Sequence, residues 1–117
     1  MDMPAIQAWF SVLPKSDKVL ALLTFMFEIT IVVRAVFHDN PHDCETRSRL
    51  TCHLSEMNHA FTSAAIATMK NEPTYPDGVL LEILLDQASY PELESYCRYV
   101  LVTTIQRVNK AQEGRTT

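Results

Sequence analysis

Apolar residues recur along this chain at helical spacing, and they divide it into five segments. Ile6, Trp9, Phe10 and Leu13 stand at i, i+3, i+4 and i+7, one face of a short helix. Pro4 suits its first turn, where a missing N–H costs nothing. Pro14 ends it, because the residue before a proline is pushed out of helical geometry. Segment 19–37 is apolar almost throughout, interrupted only by Thr24, Glu28, Thr30 and Arg34. Ser16 is placed to cap it and Asp17 to oppose its dipole. The β-branched run 29–33 would also suit a strand, but continuity and length favour a helix.

The turn His38-Asp39-Asn40-Pro41-His42 closes that segment, and Asp43 can cap the next. Leu50, Leu54, Met57, Phe61, Ala64 and Thr68 then advance in steps of four and three, the seam of a helix reaching about Lys70. Residues 71–76 carry two prolines and read as a loop. Asp77 is expected to cap a short apolar helix over 79–88, with Gly78 a weak point in its first turn. Ser89 and Glu92 have capping-box spacing for a last helix striped by Leu93, Cys97, Val100, Leu101, Thr104 and Val108. Residues 114–117 read as a frayed tail, leaving 1–113 as one domain. The expected fold is all-α: a compact bundle of four main helices with a short N-terminal helix packed across it.

Composition agrees. A chain of 117 residues, 47% hydrophobic and 21% charged, is sized for a single core without staples. Only 2 glycines leave few left-handed turns for hairpins, which favours helices over a sheet. The net charge of −4 repels phosphate backbones and offers anionic lipid no basic patch, so neither nucleic acid nor membrane is an expected partner. Cys44, Cys52 and Cys97 are an odd number in a chain that needs no disulfide framework. They read as free thiols of a cytoplasmic protein. The start Met1-Asp2-Met3-Pro4 does not resemble a secretory leader.

Segment 19–37 is long enough to span a bilayer, but Glu28 and Arg34 would each cost about 2.5–3.5 kcal/mol there. Six residues apart, they lie about 240° apart around a helix and do not neutralise each other. A helix this apolar instead needs cover on nearly every side. A self-interface or a protein partner would provide it, with Trp9, Phe10, Phe25, Phe27, Ile31 and Val33 as the candidate contact residues.

Candidate chemistry is thinner. Glu28 with Glu56-Met57-Asn58-His59 imitates half of a di-iron site, yet His59 points nearly opposite its helix's apolar seam and no second Glu-x-x-His follows. Cys52, Glu56 and His59 share a helical face. His38, His42 and Cys44, with the aspartates between them, form a denser cluster. Either set could take zinc or another transition metal, but neither has a recognised ligand spacing, and turn chemistry accounts for the second. Phosphate-cradling loops and a G-x-S-x-G elbow are absent. Cys97 lies on an apolar stripe, where thiols are inert. The last helix would be the reader of a helix-turn-helix, yet it opens Pro91-Glu92-Leu93-Glu94, acid where phosphates would sit. The sequence therefore reads as a small non-enzymatic interaction module, a homodimer or the binder of a protein partner, with no cofactor. Its alternative is a metal-binding helical protein.

Overall fold

A computed structural model describes residues 3–39, 44–84 and 94–116. Every regular element among them is a helix: α1 (Met3–Ser11), α2 (Lys15–Asp39), α3 (Cys44–Lys70), α4 (Asp77–Leu84) and α5 (Glu94–Thr116). The β-branched run in α2 is helical, and its threonines show how. Thr24 and Thr30 donate to the carbonyls of Leu20 and Met26 at 2.7 Å, one turn back, so both polar groups are satisfied inside the helix.

Helix boundaries follow backbone carbonyls more than the expected side-chain caps. Asp17 and Lys18 donate their N–H groups to the carbonyl of Pro14, so α2 starts on Pro14, and Ser16 is an exposed residue of the first turn. Likewise Val79 and Leu80 donate to the carbonyl of Pro76, and the Asp77 carboxylate turns to Lys18 Nζ, 3.2 Å away. The end of α3 is a Schellman closure. Asn71 takes a positive φ of 57° while its N–H donates to Thr68, and the N–H of Glu72 donates to Ala67. Asn is among the few side chains that tolerate that conformation. The expected caps Asp43, Ser89 and Glu92 lie outside the described residues.

Three helices are long, at 25, 27 and 23 residues, and α1 and α4 are short. Helix α2 is central, with α3 on one flank and α5 on the other. Both neighbours run antiparallel to it. Phe25 meets Phe61 while Leu22, a turn earlier, lines the same hollow as Ala64 and Thr68, later in α3; on the other flank Asp17 meets Arg115 and Glu28 meets Arg107. Helices α1 and α4 pack together across the end where α2 begins and α3 ends. The bundle is longer than it is wide, 47 × 30 × 23 Å.

The stripes read from the sequence form the core. Ile6 and Phe10 of α1, Leu13 just past its end, Leu50, Met57, Phe61 and Ala64 of α3, and Cys97, Val100, Leu101, Thr104 and Val108 of α5 are all buried. A ladder of rings crosses three helices, with Phe10 to Phe25 centroids 6.5 Å apart and Phe25 to Phe61 5.9 Å apart. Tilted rings at these separations attract beyond their burial.

The α2–α5 seam is built differently. The Asp17 side chain is withdrawn from water, and Arg115 Nη2 stands 2.7 Å from both of its oxygens. Gln112 Nε2 donates to the same carboxylate at 3.0 Å. The hydrogen bond from Arg115 is the main cause that holds the Asp17 carboxyl below its ordinary value, and the bond from Gln112 adds to it. Further along, Glu28 is buried and paired with Arg107 at 2.5 Å. Residues 114–116, expected as part of a frayed tail, belong to the last turn of α5, because Arg115 anchors that turn to α2.

Candidate functional site

Helix α2 is apolar on nearly every side, and the bundle covers only part of it. Phe25, Ile29 and Val33 turn toward α3 and the core, and Asp17 and Glu28 toward α5. What remains is an outer stripe of Leu20, Leu23, Phe27 and Ile31, spaced i, i+3, i+7 and i+11. Each of these side chains is between 36% and 60% exposed. At 100° per residue these four lie within an arc of about 80°.

The antiparallel register extends the stripe sideways. Thr62 of α3 donates to Met26 Sδ at 2.9 Å, so the α3 face bearing Thr62 borders the α2 face bearing Met26 and Leu23. Ile66 and Met69 follow Thr62 at i+4 and i+7 and are exposed beside the first half of the stripe. Between Leu20 and Ile31 this surface carries no charge, because Glu28 points inward to Arg107. The first charge along it is the exposed Arg34.

The six residues expected to meet a partner therefore divide. Phe27 and Ile31 stand in the stripe. Phe10, Phe25 and Val33 are core residues with no face to offer, and Trp9 is half-buried beside Phe10, its Nε1 donating to Asn109 Oδ1 at 3.4 Å. Leu20, Leu23, Ile66 and Met69 were not singled out by the sequence. A near-uniform apolar helix gives no phase from which to tell its covered side from its open one.

Among the described residues the metal candidates do not converge. His42 lies outside the described residues, and His38 belongs to the last turn of α2. Cys44 is exposed at the start of α3. Cys52, Glu56 and His59 are exposed further along it, away from the seam. Among the described residues no group of three or more His, Cys, Asp and Glu side chains is placed to hold a metal ion. Glu28, expected beside Glu56 and His59 in a half di-iron set, faces α5 instead. The Cys97 thiol is buried, and that burial pushes it up to about 12, so it stays protonated.

A hollow of about 340 Å³ lies where α1, α2, α3 and α4 meet. Its floor of Phe10, Leu22 and Leu80 is already covered by neighbouring side chains. On its wall Lys18 and Asp77 serve each other, and Lys18 Nζ also sits 5.6 Å from the centre of the Phe10 ring. The hollow is held together by its own contacts and presents little surface to a ligand. Among the described residues, no helix is long and apolar enough to cross a membrane. Compared with known protein families, with curated protein sequences and with solved structures, the chain matches none.

Proposed function

We propose that this protein is a small non-enzymatic protein–protein interaction module that works as a homodimer, its contact surface being the outer face of α2. This is the class to which adaptors, inhibitors and regulatory subunits belong. The observation that carries the reading is the charge-free stripe Leu20, Leu23, Phe27 and Ile31, continued by Ile66 and Met69. At about 200 Å² for a whole large side chain, these exposures leave on the order of 500–600 Å² of apolar surface in one patch. That lies at the upper end of what a monomer's largest patch shows. It also matches the apolar part of one side of a standard interface, about 800 Å² per partner and roughly two-thirds apolar at its core.

A second copy fits this surface on chemical grounds. A charge-free patch rewards a charge-free counterpart and penalises any partner that would bury an unpaired charge against it. Another copy of the same stripe meets that requirement.

Light scattering behind a sizing column tests the reading, with an expected mass of twice 13.3 kDa. Phe27→Glu places a carboxylate in the seam without touching the core, and it should weaken association at least about tenfold. A monodisperse monomer at high concentration would sink the proposal. A dimer that Phe27→Glu leaves intact would move the interface elsewhere.

A further inference from the structure

We infer that the two copies pack α2 against α2 in antiparallel fashion, with Phe27 on the two-fold axis. This register rests on the self-association proposed above. It comes from the spacing of the stripe. Leu23 and Ile31 stand four residues either side of Phe27, and Leu20 and Arg34 stand seven residues either side. The stripe is therefore symmetric in position about Phe27, and two antiparallel copies bring each exposed residue opposite another. Phe27 meets the partner's Phe27, Leu23 meets the partner's Ile31, and Leu20 meets the partner's Arg34.

Charge selects this arrangement over the parallel one. Arg34 is the nearest exposed charge on the α2 stripe. In a parallel, in-register pair the two guanidinium groups would face each other at one end of a desolvated seam, where like charges are costly. In the antiparallel pair they sit at opposite ends. There each lays its aliphatic stem over the partner's Leu20 and keeps its head in water. An isologous two-fold contact also closes on itself, so the patch is consumed by a dimer and does not propagate into a fibre.

Leu20, with Ile66 level with it on α3, gives the N-terminal half of the stripe extra apolar width. In the antiparallel pair, that width falls opposite the partner's Arg34 end, where the stripe itself is narrowest. Each protomer's broad end thus covers the other's narrow one.

Cysteine pairing tests the register. Cys44 and Cys52 are exposed and are first changed to Ser, while Cys97 is buried and stays silent. In that background Phe27→Cys is expected to give disulfide dimers on mild oxidation, because residues at the axis approach within the roughly 4–7 Å between Cα atoms that a disulfide needs. Leu20→Cys alone should give at least about tenfold less, since the two copies of position 20 lie about 21 Å apart along the seam. A mixture of Leu23→Cys and Ile31→Cys proteins should form the mixed disulfide in preference to either symmetric one. If Leu20→Cys pairs with itself as readily as Phe27→Cys, the packing is parallel and the register is wrong. If the parent protein scatters as a dimer but neither Phe27→Cys nor the Leu23→Cys and Ile31→Cys mixture crosslinks, the register fails while self-association stands. If the parent is a monomer, both fail.

Discussion

The two seams of α2 hold the molecule together by different physics. Toward α3 the contact is apolar, with Phe25 tilted against Phe61 and Leu50, Met57 and Ala64 fully buried along α3. Toward α5 the contact is pinned near two levels by charge, Asp17 to Arg115 and Glu28 to Arg107, with Val100, Leu101 and Val108 buried in the same helix. An apolar seam stabilises in proportion to the area it hides and tolerates small slips. A pair of buried carboxylates tolerates none, because a shift of one residue strands a charge out of water. The α3 seam therefore carries much of the stability, and the α5 seam fixes register.

The contrast sets an order of expected effects. The largest is Phe25→Ala, which empties the ring ladder at its centre. It should cost about 3–5 kcal/mol in urea unfolding, a large share of the roughly 5–15 kcal/mol a domain has. Next comes Arg107→Met, which leaves Glu28 buried without its cation. Because Arg107 is itself half exposed, the loss should be nearer 1–2 kcal/mol. Adding Glu28→Gln should restore most of it, a recovery that no change in the α3 seam would give. The reaction of Cys97 with a thiol reagent should quicken in Arg107→Met and stay slow when Phe27 is changed, because only the first loosens α5.

The smallest effect is confined to acid. The Asp17 carboxyl is held below its ordinary 3.8 in the folded protein, chiefly by Arg115. Between the folded and unfolded values the unfolded chain binds more protons, so stability rises with pH there. The contribution is full above the unfolded value and is lost as pH falls through the folded one. Arg115→Met should therefore narrow the stability gap between about pH 5 and pH 2, and leave a residue of it through Gln112. A gap unchanged from the parent protein would show that Arg115 does not set the acid response.

How much of this was legible depends on whether a helix has a polar side. Helices α1, α3 and α5 alternate apolar and polar residues at the helical period, and their buried stripes were readable down to Thr104. Helix α2 has almost no polar side, so the spacing established the helix but not its orientation. Phe25 and Val33 went inside while Phe27 and Ile31 stayed out, a distinction fixed only once α3 and α5 are in place. Asp17 was placed by its local role at a helix start. Nothing local marks it as buried, since its partner is 98 residues away. The same distance hid the last turn of α5, where Gly114 and a short polar sequence resemble a loose end until Arg115 finds its carboxylate.

That separation also has a meaning in time. A ribosome adding about 5–20 residues per second makes Arg115 roughly 5–20 s after Asp17. Once Lys70 has been made, 45 residues before Arg115, α2 and α3 are complete and can close their apolar seam, but the carboxylate at the head of α2 still lacks Arg115 and must stay in water. The flank that will receive α5 is thus kept open by an unpaid charge until the final turn of α5 is made. In the emerging chain, Asp17 works as a latch that holds the bundle's last side ajar, and Arg115 closes it.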